Sequence, residues 1–374
     1  SFTAVRSGRV IARGSYGFAD VERKTPVTPD TVYRIASISK PFTATVIMQL
    51  VERGLLGLDD DVSRHLGFRL RNPRFPRRPV TIRHLLTHTS GLRDGGRYDD
   101  FLTASYGPNP PPLTSMLLRG GDFYSPAIWR RSPPGRDFYY TNLAFGILAT
   151  IAEKVTRSPF DEYCRSRVFE PLKMNASFNV SHFANLEPLA VLYYHYSEED
   201  LKKETNAGKK EFEPAIDNYG GKALPENGHR PVRPGFNAVV HSPQGGVRAS
   251  ADDCAHFMLA HINDGVWEGR RILKSATARR MRRVHWEGRR HNGIYRRNGL
   301  GFHITRGLVP GTTLVGHSGR AYGFQGAMFF NPATKWGVII MMNGGDYYKD
   351  EKGDVEFLDI EIKLFRMLHD NLIR

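Results

Sequence analysis

Strand-like alternation stands at both ends of this chain, and helical periodicity fills the space between. Residues 2–18 read as a hairpin: Phe2-Thr-Ala-Val-Arg, a turn at Ser7-Gly8-Arg9, then Val10-Ile-Ala-Arg-Gly-Ser-Tyr-Gly. Toward the other end, Leu300–Thr305, Thr312–His317, Gln325–Phe330 and Trp336–Met342 alternate in the same way, with a turn at Asn331-Pro-Ala-Thr between the last two. Helices are expected over Ser37–Arg53, Thr81–His88, Asn142–Val155, Phe160–Phe169, Ala251–Asn263 and residues 354–373. Strands at both ends with helices between predict one antiparallel sheet built from both termini and flanked by helices. The fold class is α/β in its α+β form. The expected division is a sheet domain from residues 1–55 and 236–374, with a mostly helical inserted domain over 56–235. Within the insert, 92–135 is Gly- and Pro-rich and irregular, and the polar stretch 192–236 reads as an insertion or lid.

Composition narrows the function classes. The chain has 374 residues, 40% of them hydrophobic, enough for a large core. No apolar run approaches the roughly 18 residues of a membrane helix, so no membrane span is expected. No signal peptide is visible, and the opening on Ser1-Phe-Thr-Ala rather than Met is read as the mark of an upstream segment removed. Cys164 and Cys254 have no metal or redox spacing and are expected to be buried free thiols. The formal net charge is +15, with arginines clustered at Arg74, Arg77 and Arg78 and again from Arg270 to Arg297, Arg289 and Arg290 included. No zinc-finger spacing or RNA-binding aromatic motif accompanies the charge. It is read as solvated surface, and no nucleic-acid partner is expected.

Chemistry enters with Ser37-Ile-Ser-Lys40, where an extended segment meets the first long apolar helix. Three residues apart on a helix, Ser37 and Lys40 share a face. A serine hydroxyl needs a base to become a nucleophile, and a lysine supplies one if burial or another cation lowers its pKa. Placement in the first helical turn would add free backbone N–H groups and the positive end of the helix dipole. The alternative is that Ser37 merely caps the helix. Two further segments bear on the choice: Tyr140-Thr-Asn142 just ahead of an apolar helix, and Gly316-His317-Ser318-Gly319 after a β-rich run.

With these three segments in order, the chain resembles the serine β-lactamase and penicillin-binding protein superfamily. It is most similar to the class C β-lactamase-like branch, which also holds esterases and D-amino-acid peptidases. The flanking Tyr33-Arg-Ile-Ala-Ser-Ile-Ser-Lys, Leu85-Leu-Thr-His-Thr-Ser-Gly-Leu, Pro134-Gly and Gly245-Gly246 extend the likeness over nearly the whole chain. The resemblance implies a β-lactamase-like fold and a cofactor-free, metal-free serine hydrolase acting through an acyl-enzyme. Its substrate would be a small ester, a D-amino-acid amide or a peptide. A D,D-carboxypeptidase or β-lactamase, and a non-catalytic penicillin-binding sensor, are the alternatives. Ser37 would attack the carbonyl, Lys40 would take or relay its proton, and Tyr140 would share that proton and pass it to the leaving group. Asn142 would hold Lys40 and the substrate amide. The oxyanion would rest on the backbone N–H groups of Ser37 and Arg320, with His317, Ser318 and Gly319 lining the substrate. The family's habit implies an extracytoplasmic location; oligomeric state is not read from the chain.

One departure stands out. The third segment has histidine where penicillin-recognising relatives carry lysine. A neutral His317 lacks the fixed charge that grips a carboxylate, unless Arg320 substitutes. His317 is expected to make activity pH-dependent near its ordinary value of about 6.5. His84 and His88 share zinc-helix spacing, but residue 85 is Leu where the motif needs Glu, so no metal is expected. Tyr106, Tyr124, Trp129 and Tyr139 are candidate cleft residues or ordinary packing.

Overall fold

The strands of the two ends meet in one eight-stranded antiparallel sheet. The structure is a computed structural model that describes residues 1–216, 233–288, 293–345 and 357–373. Residues 217–232 of the expected lid, Arg289 and Arg290, and the start of the closing helix at 354–356 lie outside the described residues. The sheet strands are β1 (Phe2–Arg6), β2 (Arg9–Gly14), β3 (Trp286–Glu287), β4 (Arg297–Asn298), β5 (His303–Thr305), β6 (Leu314–Ala321), β7 (Phe324–Asn331) and β8 (Trp336–Met342). Their spatial order is β3-β4-β5-β6-β7-β8-β1-β2. The first strand thus lies beside the last, from Phe2↔Ile340 to Arg6↔Trp336.

Turn chemistry sets the registers. Ser7 and Gly8 both have positive φ, 50° and 84°, which matches the twist of a two-residue hairpin between β1 and β2. Tyr322 and Gly323 repeat the device between β6 and β7, at 57° and 89°. That turn lets β6 run on through Arg320↔Gln325 and Ala321↔Phe324. The strand therefore continues four residues beyond the expected end at His317, and His317-Ser318-Gly319 lies inside it. Between β7 and β8, Asn331 Oδ1 accepts from the N–H groups of Ala333 and Thr334 at 2.8 and 2.9 Å.

Alternation divides the sheet residues between two apolar layers. Phe329, Val338 and Ile340 pack with Phe365 and Leu368 of the closing helix. Met328, Phe330, Ile339 and Met341 join the main core with α1 (Ser39–Glu52), α2 (Leu143–Thr156) and α3 (Ala251–Ile262). The closing helix is α4 (Asp359–Leu368). α1 is buried on nearly all sides, with Phe42, Val46, Ile47 and Leu50 fully enclosed, as a central helix requires. Its Pro41 sits in the first turn, where a missing N–H breaks no helical bond. Phe42 stacks on Phe257 of α3 with ring centroids 3.9 Å apart. This layering holds the head of α1 against the sheet. Both cysteines are buried free thiols, as expected. No helix among the described residues is long and apolar enough to cross a membrane.

Candidate active site

Ser37 does not lie in the first turn of α1. It sits in a separate 3-10 turn, Ala36–Ile38, that feeds α1 at Ser39. Ala36 enters that turn at φ 45°, a left-handed conformation costly for a residue with a Cβ and of the kind that collects at functional sites. The turn lies along the edge of β6. β5 covers β6 only through Leu314, Val315 and Gly316, and among the described residues no strand pairs with that edge farther on. A Cβ on Gly319 would stand 2.6 Å from the Ile35 carbonyl oxygen, so glycine is what permits the approach. Neither the turn nor α1 has a side-chain cap, which removes helix capping as the role of Ser37.

The Ser37 hydroxyl meets two partners. Lys40 Nζ is 2.9 Å from Ser37 Oγ, and the Tyr140 hydroxyl donates to the same oxygen at 2.8 Å. Lys40 reaches Ser37 back across the junction of the two helical segments, so the three-residue spacing still puts both groups on one side. Lys40 Nζ also donates to Asn142 Oδ1 and to the Gln244 carbonyl, each at 2.8 Å. It lies 4.8 Å from the centre of the Tyr140 ring. Lys40 is fully buried, and burial pulls its pKa down to about 7, with Asp94 pulling the other way. The shift amounts to about 5 kcal/mol against the charged form. Burial also raises the Tyr140 phenol well above its usual range, with Tyr295 adding to the rise and the bond to Ser37 opposing it. Near neutral pH the tyrosine holds its proton while the lysine can release one. A neutral Lys40 can still donate to Asn142 and Gln244 and turn its lone pair to the Ser37 hydroxyl.

Asp94 organises the middle segment, and nothing local in the sequence marked it. Its carboxylate accepts from Asn142 Nδ2 (2.8 Å), the Asn142 N–H (2.7 Å), the Leu143 N–H (3.0 Å) and the Thr141 hydroxyl (2.8 Å). An acid here satisfies free N–H groups at the head of α2 and complements the helix dipole. It also orients the Asn142 amide so that Oδ1 faces Lys40. Asp94→Ala strands four donors at once and is expected to cost about 2–4 kcal/mol of stability. Thermal melting beside Asp94→Asn, which keeps acceptors on one oxygen, measures it; equal melting temperatures for Asp94→Ala and the parent would refute it.

The third segment corrects one expectation and closes one alternative. His317 is buried, and its pKa falls well below the ordinary value through burial first and then the neighbouring His303 and Lys40. It stays neutral across the physiological range, so it does not supply the expected titration near 6.5. The Arg320 side chain is held by the buried Glu361 of α4, its Nη2 donating to Oε2 at 2.7 Å. It therefore does not stand in for the missing lysine. Strand alternation puts Arg320 on the α4 face of the sheet with Leu314, while the Gly319 position faces the Ser37 turn.

The other candidates separate cleanly. His84 accepts from the Thr81 N–H in a capping box. His88 accepts from the Thr141 N–H at 3.1 Å and stacks on Tyr140 with centroids 4.5 Å apart, helping to fix the phenol. Tyr139 lies under Arg130 instead of reaching Ser37. Tyr106 contributes to the site's surroundings: its hydroxyl donates to Ser242 Oγ and accepts from Gln244 Nε2, the residue whose carbonyl holds Lys40. Trp129 pairs with Leu92, and Tyr124 packs against the core. Among the clustered arginines, Arg279 and Arg282 share Asp264, and Arg296 and Arg297 share Glu287.

An antiparallel sheet closed by both ends of the chain, with a Ser–Lys turn at the head of a buried helix, is a fold of the penicillin-binding-protein and β-lactamase type. A family model described as Beta-lactamase matches residues 1–360, and the chain belongs to that family. The structure is similar to the octameric penicillin-binding protein homologue from Pyrococcus abyssi, with a TM-score of 0.71 and 27% identity over 100% of this chain and 72% of that one. It is also similar to D-amino acid amidase from Ochrobactrum anthropi SV3, with a TM-score of 0.66 over 98% of this chain and 91% of that one. At 21% identity this is a likeness of fold. Among curated proteins, Penicillin-binding protein 4* of Bacillus subtilis is 33% identical over 174 residues, 46% of this chain and 36% of that protein. Protein flp of Staphylococcus aureus is 25% identical over 370 residues, 97% of this chain. The chain thus matches only 36% and 62% of the length of these two relatives.

Proposed function

We propose that the chain is a serine hydrolase that works through an acyl-enzyme on a small ester, a D-amino-acid amide or a peptide. The observation that carries the reading is the pair of contacts on Ser37 Oγ, from Lys40 at 2.9 Å and Tyr140 at 2.8 Å. Ser37 Oγ attacks the carbonyl carbon while its proton passes to the neutral Lys40. The tetrahedral oxyanion is held by backbone N–H groups of the Ser37 turn and the β6 edge. Its collapse breaks the bond to the departing nitrogen or oxygen, which takes a proton from Tyr140; Lys40 returns one to the phenol. Water then attacks the Ser37 ester, aided by the same lysine and tyrosine, and releases the acid. No step calls for a metal or cofactor.

A D-amino-acid amide is supported by the fold likeness to D-amino acid amidase. A β-lactam or a peptide ending in a carboxylate is less supported, because His317 is neutral and Arg320 is engaged by Glu361. An extracytoplasmic location belongs to the same proposal and rests on the penicillin-binding proteins among the relatives. Intact-mass spectrometry after incubation with short esters, D-amino-acid amides and penicillins is the test. Transient acyl adducts on Ser37 from esters or amides are expected. A stable penicillin adduct with no turnover of any substrate would instead mark a sensor, and adducts confined to another residue would refute the assignment.

A further inference from the structure

Beside Tyr140, two imidazoles present bare nitrogens. His317 Nδ1 lies 2.6 Å from the Ser318 carbonyl oxygen. A carbonyl can only accept, so Nδ1 carries the proton. His303 Nδ1 lies 2.7 Å from Asn298 Oδ1. Asn298 Nδ2 donates to the Tyr295 carbonyl, which fixes the amide's orientation and makes His303 Nδ1 a donor as well. In each neutral ring Nε2 is then a lone-pair acceptor. Both Nε2 atoms are buried and have no hydrogen-bond partner among the described residues. The two rings lie 4.3 Å apart, and each lies close to the Tyr140 ring, at 6.2 and 6.3 Å between centroids.

Orphaned buried acceptors are uncommon, and two of them side by side next to a nucleophile's proton donor call for a ligand that donates. Burial keeps both rings neutral; it drives His303 down to about 3. Their acceptor character is therefore constant over the ordinary pH range.

Resting on the acyl-enzyme reading, we propose that His303 and His317 form a leaving-group subsite of two hydrogen-bond acceptors. It selects substrates whose departing group is uncharged and carries N–H or O–H donors, a primary carboxamide first among them. It turns away departing groups that carry a carboxylate. A carboxamide nitrogen has two N–H groups, one for each Nε2. On acylation the Ser37 Oγ–C bond forms, the C–N bond breaks, and the nitrogen takes the Tyr140 proton and departs as ammonia. A carboxylate offers only acceptors and would set its charge against two lone pairs in a buried space. His303 is thus a specificity-determining residue in a strand that the sequence motifs do not include.

The test compares N-acetyl-D-alaninamide with N-acetyl-D-alanyl-D-alanine, in turnover and in binding. Wild type is expected to favour the amide in kcat/KM by at least tenfold. His303→Leu is expected to cut that ratio by about tenfold, mainly through KM, and His317→Lys to shift it toward the carboxylate. An unchanged ratio in both variants, with turnover still dependent on Ser37, would overturn the subsite and leave the acyl-enzyme reading standing. Independently of turnover and of the variants' folding, histidine ring ¹⁵N spectra of Ser37→Ala protein should show a protonated Nδ1 and a bare Nε2 at both His303 and His317. Adding the amide should shift both Nε2 signals, and the dipeptide should not. A protonated Nε2 on His303 or His317, or shifts only with the dipeptide, would overturn the subsite. If no substrate acylates Ser37 in wild type, the acyl-enzyme reading fails, while these spectra still decide whether the two acceptors bind a donor.

Discussion

Ser37→Ala is expected to lower turnover by about 10⁴-fold or more, the scale seen when a nucleophile is removed from a serine hydrolase. The fold should survive. Ser37 caps no helix, and Lys40 keeps its bonds to Asn142 and to the Gln244 carbonyl when the hydroxyl is gone. A melting temperature close to that of the parent, together with a lost acyl adduct, separates loss of chemistry from loss of structure. Hydrolysis of a short nitrophenyl ester at a tenth of the parental rate or better in Ser37→Ala would sink the assignment.

The second large effect is on the pH profile. Lys40 must be neutral to take the Ser37 proton, and burial places its pKa at about 7. A base loses its function as pH falls through its pKa, so kcat/KM should drop about tenfold per unit below pH 7, roughly 100-fold by pH 5. Lys40 and Tyr140 share a proton network, so the observed midpoint belongs to the pair. Asp94 favours the charged lysine; Asp94→Asn should therefore move the acid limb to lower pH. His317 and His303 stay neutral and add no inflection near 6.5. A profile flat from pH 5 to 8, or an acid limb that moves up in Asp94→Asn, would rule out Lys40 as the base.

The parts of this molecule that were legible in its sequence are those written in local pattern. Alternation marked β1, β2 and β5 to β8 but not the two-residue strands β3 and β4, which are too short to show a period, and the turns at Ser7-Gly8 and Asn331–Thr334 marked where strands reverse. Ser37, Lys40, Tyr140 and Asn142, from the first two segments, lie within hydrogen-bond reach of one another. What escaped depends on contacts between distant segments. The β6–β7 turn was hidden because its first residue is Tyr322, a side chain seldom found at positive φ. Asp94 reads as one polar residue in an irregular stretch until the head of α2 arrives above it. His303 sits on a short strand whose neighbour, β6, carries the motif. Whether the Arg320 side chain could replace the missing lysine stayed open in the sequence; the phase of β6 turns it toward α4, whose Glu361 no motif announces. The offset of Ser37 from α1 also lies below what periodicity resolves: the 3-10 turn Ala36–Ile38 runs directly into α1 at Ser39, and only its first residue, Ala36 at φ 45°, is left-handed.

The junction of β1 with β8 also dictates when chemistry can begin. β1 pairs with β8 from Phe2↔Ile340 to Arg6↔Trp336, so it gains that partner only once the chain has been made as far as Ile340, and β6 comes almost as late. During that interval Ser37 and Lys40 already exist, but β6 does not. A lysine still in water keeps its ordinary pKa of about 10.4 and stays charged. Only when the late strands pack and the loop bearing Gln244 folds over it does Lys40 lose its water and, on the proposed mechanism, become a base. On the proposed mechanism folding itself is the arming step, and the Ser37 hydroxyl gains its base only when these late partners are in place.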